Sequence, residues 1–222
     1  TCYIDKDTDR RSIVKDKNLV MYDMISSQVE FLAFNTKKPY WSDKRVRQAA
    51  AYGIDIEKIL NNAYAGDAVQ TDTIYYPNFL GVSDTSELYA YDPEKALNLL
   101  EKAGLEDKNG DGLLEDAYGK NVPVSILVNK KNAQRMTAAK MISKNLETLG
   151  FKVNINALAP AEYKKAIANR QFDILIVGYE MEETYDLREF FNGKNAWGYY
   201  NADLFSKSRE LERLYDADTQ KE

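Results

Sequence analysis

The sequence predicts an α/β fold in which parallel strands neighbour one another and helices cover the sheet. Three observations predict it. From Val122 onward, apolar runs of strand length alternate with amphipathic runs of helix length, as in strand–helix–strand crossover units. The run Phe172-Asp173-Ile174-Leu175-Ile176-Val177-Gly178-Tyr179 is apolar apart from Asp173, as suits a central strand covered on both faces. The chain has 222 residues, enough to bury a substantial core as one large domain or two small ones.

Each element follows in order. Residues 1–28 are polar and irregular, and the run from Val29 to Asn35 then reads as a largely buried strand ended by Asn35-Thr36. Ser42 is the expected N-cap of a helix that carries Arg45, Val46, Arg47 and the alanines 49–51, with Gly53 closing it. Asp55 caps a second helix reaching about Tyr64-Ala65, before Gly66. Residues 67–89 hold Pro77, Gly81 and aperiodic aromatics, and read as a long ordered loop. Asp92-Pro93 opens another helix with Ala96, Leu97, Leu99, Leu100 and Ala103 on its apolar face and Gly104 behind it. There follow a strand at 122–128, a helix at 133–149 with Gly150 behind it, a strand at 151–158, a helix at 161–169 and a strand at 172–179. A last helix from residue 202 to 215 lines up Leu204, Ser208, Leu211 and Leu214-Tyr215.

Composition narrows the chemistry. Lys and Arg number 30 against 35 Asp and Glu, a net charge of −5, so a nucleic-acid backbone is a poor partner. There is no histidine and a single cysteine, which excludes Ser-His and Cys-His catalysis, His-ligated metals, an internal disulfide and multi-Cys zinc sites. Sixteen tyrosines, eight phenylalanines and two tryptophans supply flat amphipathic surfaces of the kind that line binding clefts. No apolar run approaches the ~20 residues of a membrane crossing, and no signal peptide is expected within residues 1–28. Thr1 starts abruptly and Glu222 ends inside a helical pattern, so a piece of a longer protein is expected.

Three stretches in order resemble the extracellular solute-binding proteins that capture oligopeptides, dipeptides and, in some members, nickel complexes for ABC importers. They are Phe31-Leu32-Ala33-Phe34-Asn35 followed by Asp43-Lys44-Arg45-Val46-Arg47-Gln48-Ala49; Tyr91-Asp92-Pro93-Glu94-Lys95-Ala96 with Leu99-Leu100 and Ala103-Gly104; and the run from Phe172 to Tyr179. The segment Asn195-Ala196-Trp197-Gly198-Tyr199-Tyr200-Asn201 is similar to the family's stretch before its next helix, so the resemblance covers about residues 29–215. It implies one lobe of a periplasmic-binding-protein-like fold, with a mixed sheet flanked by helices. Family members are longer and close two lobes on a ligand. Residues 1–222 would then be a single ligand-binding lobe, with 1–28 its entry segment and 29–215 its core, and the second lobe would lie elsewhere in the chain.

The implied function is capture of a peptide, without catalysis, for delivery to an ABC permease in the membrane. The implied location is extracytoplasmic, either periplasmic or on the cell surface as a lipoprotein anchored through an N-terminus beyond Thr1. In the peptide-binding relatives the strand backbone at Gly178, Tyr179 and Glu180 pairs with an extended peptide, and an acid shortly afterwards receives the α-ammonium group. By position that acid is Glu182, where the family has Asp, with Glu183 and Asp186 close by. Tyr185 and Trp197 are expected as aromatic walls. Arg45, Arg47 and Asn35 are expected to serve the scaffold.

Two other readings stay open. The same scaffold could hold an oligosaccharide or a metal chelate. A carboxylate-based hydrolase would use Glu182 and Glu183, but adjacent residues on a strand point to opposite faces, which suits joint work poorly. No cofactor is expected, with one candidate exception. In Asp107-Lys108-Asn109-Gly110-Asp111-Gly112-Leu113-Leu114-Glu115, the side chains of Asp107, Asn109, Asp111 and Glu115 and the Leu113 carbonyl match the first half of a Ca²⁺ loop. The second half does not match, because Tyr118 stands where a bidentate Glu is needed and no helix follows. Asn, Asp and Gly also build plain turns.

Overall fold

The computed structural model describes residues 15, 17–18, 20, 22, 25–71, 73–75, 89–181 and 186–211. Among them lie four strands and eight helices. In chain order these are β1 (Gln28–Phe34), α1 (Pro39–Ser42), α2 (Lys44–Gly53), α3 (Ile56–Ala63), α4 (Pro93–Lys102), β2 (Pro123–Asn129), α5 (Ala133–Thr148), β3 (Lys152–Leu158), α6 (Pro160–Ala168), β4 (Ile174–Glu180), α7 (Arg188–Phe191) and α8 (Ala202–Leu211).

The strands form one mixed sheet in the order β1-β4-β2-β3. β2 pairs with β3 and with β4 in parallel, as the alternating pattern requires. β1 lies antiparallel to β4, in continuous register from Gln28 opposite Glu180 to Phe34 opposite Ile174. Helices cover both faces. On one, Ala138, Ala139, Ile142 and Leu146 of α5 pack with Ile126, Val128, Ile174 and Ile176. On the other, Tyr163 and Ala166 of α6 pack with Leu127, Phe172 and Leu175. Residues 174, 175 and 176 are buried to both sides, so β4 is the central covered strand that its composition predicts.

Capping follows the sequence with one shift. Asp55, Asp92 and Asn132 accept from the main-chain N–H groups of Lys58, Lys95 and Arg135, as N-caps do. The cap of α2 is Asp43, whose Oδ1 accepts from Arg45 N at 2.8 Å. The expected cap Ser42 instead ends α1 and donates to the Pro39 carbonyl at 2.7 Å. Gly104 and Gly150 adopt φ of +81° and +91° directly behind α4 and α5, the left-handed turn that suits glycine. Gly53 does something else. It lies inside α2, and a Cβ there would overlap the Leu149 side chain, so its role is close packing and not a left-handed cap.

Arg45 and Arg47 serve the scaffold. Arg45 pairs with Asp43 at 2.6 Å and donates to the Lys102 carbonyl, while Arg47 donates to the carbonyls of Trp41 and Ser42. Asn35, 2% exposed, fastens the end of β1 by donating to the Arg170 and Phe172 carbonyls and accepting from Lys37 N. Most of residues 1–28 and of the expected loop 67–89 lies outside the described residues, as do residues 212–215 of the last expected helix.

Candidate functional site

The carboxyl end of β4 is built as an open rung. Hydrogen bonds of 2.9 Å from Asn35 N to Asp173 O and from Met181 N to Ser27 O flank the β1–β4 ladder, and the register between them is unbroken. In an antiparallel ladder bonded and non-bonded pairs alternate, so residues 175, 177 and 179 bond to β1. Gly178 and Glu180 then turn their N–H and C=O groups the other way, toward β2. Yet β2 meets β4 only at Ile126 opposite Ile174 and Leu127 opposite Leu175. Among the described residues, therefore, no strand pairs with the main chain of Gly178 and Glu180 on that side, beyond the end of β2, where ligands of open α/β sheets bind.

Two side chains close the bottom of that gap, one from each face of the sheet. The Tyr163 hydroxyl, on α6, donates to the Ile176 carbonyl at 2.6 Å. Arg135, in the first turn of α5, lays its guanidinium over Gly178, at the place a Cβ would need. Glu30 on β1, cross-strand from Gly178, holds that guanidinium with 2.9 Å contacts from both Nε and Nη2 to Oε1. The Tyr64 hydroxyl donates to the other Glu30 oxygen. Burial raises the pKa of both phenols, with Glu30 adding to the rise at Tyr64 and Arg135 partly offsetting it at Tyr163, so both are neutral donors at physiological pH.

None of Glu30, Tyr64, Arg135 and Tyr163 is legible as a site residue in the sequence. Glu30 and Arg135 stand 105 positions apart, and each reads alone as an ordinary charge on a strand or a helix end.

On the other face, Tyr179 and Trp197 line one open cleft of about 390 Å³. The structure thus brings together two of the expected ligand-binding residues, Tyr179 and Trp197, next to a third and fourth, Gly178 and Glu180. Asp186 is engaged locally. It forms a two-pronged pair with Arg188, at 2.8 Å to Nε and 2.5 Å to Nη2, and accepts from Arg188 N. The Arg188 hydrogen bonds hold its carboxyl below the usual carboxylate range. Glu182, Glu183 and Tyr185 lie outside the described residues.

The candidate Ca²⁺ loop brings carboxylate oxygens of Asp107, Asp111 and Glu115 within 4.8 Å of one another. Those oxygens work as turn acceptors. Asp107 accepts from the N–H groups of Gly110, Asp111 and Gly112, Asp111 from Leu113 N, and the buried Glu115 from Lys108 N and Asn109 Nδ2. Asn109 Oδ1 accepts from Asp111 N. Tyr118 is 87% exposed and takes no part.

This fold and its open strand end can be set beside known proteins. A family model described as "Bacterial extracellular solute-binding proteins, family 5 Middle" matches residues 4–198. The chain belongs to this family. Among the relatives of this family-5 chain, the dipeptide-binding protein of Escherichia coli is 31% identical over 165 residues, covering 74% of this chain and 29% of that protein. The oligopeptide-binding protein AppA of Bacillus subtilis is 25% identical over 223 residues, covering 94% of this chain and 40% of that protein. The chain thus spans less than half the length of these curated relatives. The structure of AppA in complex with a nonapeptide aligns with a TM-score of 0.81 at 23% identity, over 96% of this chain and 44% of that one. NikZ from Campylobacter jejuni in complex with Ni(L-His) aligns at 0.79 and 21%, again over 96% and 44%. At these identities the structural likeness shows a shared fold, and that fold is the mixed α/β lobe that the resemblance implies.

Proposed function

We propose that this chain is one lobe of a two-lobed binding protein that captures peptides outside the cytoplasm, without catalysis, and hands them to an ABC permease. The observation that carries the reading is the open rung of β4. Gly178 and Glu180 present main-chain donors and acceptors to a gap at the carboxyl end of a central strand. An extended peptide satisfies such a rung by adding as a further strand, with affinity from main-chain hydrogen bonds and side-chain selectivity from pockets. The names of the dipeptide- and oligopeptide-binding relatives support a peptide as the ligand.

Glu182, two residues beyond the exposed end of β4, is our candidate receptor for the α-ammonium group, with Glu183 the substitute. Asp186 ranks behind them because Arg188 already neutralises it. A carboxylate at the mouth of a closed cleft forms a charge-assisted hydrogen bond with a cation that would otherwise be buried unpaired. We propose that the protein works in the periplasm, or on the cell surface as a lipoprotein. A metal chelate is the second reading, favoured by the fold shared with NikZ in complex with Ni(L-His).

Calorimetry with the full-length protein tests the peptide reading. A free peptide is expected to bind, and its N-acetylated form to bind at least about thirty-fold more weakly, the cost of losing one partner of a buried charge pair. Glu182→Gln should abolish that difference. Equal affinity for both peptides contradicts the ammonium anchor, and no peptide binding at all contradicts the peptide reading.

A further inference from the structure

Arg135 is a costly residue where it stands. It occupies the first turn of α5, where the helix dipole disfavours a cation, and no acid in that turn offsets it. Its partner comes from another element: Glu30 of β1 takes Nε and Nη2 on a single oxygen, Oε1. The other Glu30 oxygen accepts from the Tyr64 hydroxyl, so the carboxylate is itself fastened. A guanidinium has more N–H groups than one carboxylate oxygen can take. Apart from Glu30 and the nearby Tyr163 hydroxyl, Arg135 meets no acceptor among the described residues, although its side chain is only 18% exposed. Donors of a mostly buried cation are thus left over, and such donors are expensive to leave unmet.

Position then says what would meet them. Nη2 fills the place that a Cβ on Gly178 would need. The same guanidinium lies close enough to the Tyr163 hydroxyl for its charge to oppose the burial that raises that phenol's pKa. That hydroxyl is bonded to the Ile176 carbonyl, which points to the edge of β4 where pairing with β2 has stopped. Arg135 therefore reaches from the face of the sheet to the foot of the open rung. A strand added to that edge runs about 4.8 Å from β4, so its main chain passes the guanidinium beside Gly178.

Charge decides which oxygen is accepted. Glu30 and Arg135 are neutral as a unit, so a carboxylate placed there would share one cation with Glu30 and meet its like charge. An uncharged carbonyl carries no such penalty, and it has two lone pairs, one for a rung N–H and one for the guanidinium.

We propose that Arg135 contacts the bound peptide, donating to a main-chain carbonyl of the residue seated beside Gly178. The assignment rests on the peptide-binding reading above and adds a contact that reading does not contain.

The test is calorimetry of the full-length protein with tetra-alanine, its C-terminal amide and its single-thioamide analogues, in which sulfur replaces one carbonyl oxygen at a time and accepts hydrogen bonds more weakly. Arg135→Met should weaken binding of tetra-alanine about ten-fold or more, as the loss of a hydrogen bond from a charged donor does, and should weaken the amide equally. At one position a thioamide should cost the parent about five-fold and Arg135→Met about two-fold or less. A merely structural role for Arg135 would lower affinity and leave the thioamide penalties unchanged. If Arg135→Met does not fold, Arg135→Lys keeps the charge beside Glu30 but loses the planar fork, and should shrink the same penalty. The contact is overturned if no thioamide weakens binding to the parent, if every penalty survives substitution of Arg135, or if the loss is confined to the free acid, which would make Arg135 a carboxylate receptor. Tetra-alanine binding with any of these results sinks the contact alone, whereas failure of tetra-alanine and its amide to bind the parent sinks the peptide reading and the contact with it.

Discussion

The Tyr163 hydroxyl donates to the Ile176 carbonyl at 2.6 Å, at the rung directly past the last β2–β4 pair. A side chain from the α6 face thus takes over where pairing with the neighbouring strand stops, and the open edge begins at Gly178. Tyr163→Phe removes the donor and leaves a buried carbonyl unpaired. It should cost about 1–3 kcal/mol of stability, read by urea or thermal unfolding. A variant as stable as the parent would mean that water or another group serves Ile176 equally well, and that the edge is not closed by Tyr163.

Gly178 and Arg135 share one space. Gly178→Ala puts a Cβ where the Arg135 guanidinium lies, forcing it away from Glu30. The two substitutions should therefore couple. Gly178→Ala is expected to destabilise the parent but to be near neutral in an Arg135→Ala background, a coupling of about 0.5–3 kcal/mol in a double-mutant cycle. Additive effects would refute the shared space.

Gly53→Ala tests the packing of α2 against α5. The added methyl overlaps the Leu149 side chain, and overpacking of this kind costs about 1–3 kcal/mol, although alanine is the better helix former. A stabilised variant would contradict the close approach.

Asp186 supplies a pH signature. Its folded-state pKa lies below the ordinary 3.8, chiefly through the Arg188 hydrogen bond. A depressed carboxylate adds stability that is fully present above its unfolded value and is lost as pH falls through the folded one. The pair is about one-third exposed, so the contribution is about 1 kcal/mol or less. Asp186→Asn should therefore melt slightly below the parent at about pH 6, with the gap closing below about pH 4. A gap that widens on acidification would reverse the assignment.

For the loop from Asp107 to Glu115 we propose a turn and no Ca²⁺ site, because main-chain N–H groups already serve the oxygens of Asp107, Asp111 and Glu115, and the bidentate twelfth ligand is missing. The melting temperature in millimolar Ca²⁺ should equal that in EDTA. A rise in Ca²⁺ would restore the metal reading.

Much of this architecture is legible in the sequence, and the reason is local. Strands β2, β3 and β4 and helices α5 and α6 announce themselves through period and composition, and their ends fall within a residue or two of expectation. The antiparallel pairing of β1 is not local: its partner begins 140 residues away, and no turn joins them. The Asp43 cap was open to confusion because Ser42 beside it is equally able to cap. Gly53 carries the same letter as a C-terminal cap while serving a steric need that only the position of Leu149 reveals. At the candidate site, Gly178, Tyr179 and Glu180 stand out by their place at the carboxyl end of the central strand, while Trp197 is expected only as an aromatic wall. Glu30, Tyr64 and Arg135 do not, since Tyr64 and Arg135, from two segments distant in sequence, converge on the Glu30 carboxylate.

Capture of peptides without turnover is the central claim, and the small molecules that travel with the full-length protein through a gentle purification test it most directly. Denaturing the protein and weighing what it releases should give intact short peptides, in about equimolar amount and unchanged on longer incubation. Release of a saccharide or a metal complex with no peptide, or of peptides progressively cleaved by the protein, would contradict the account.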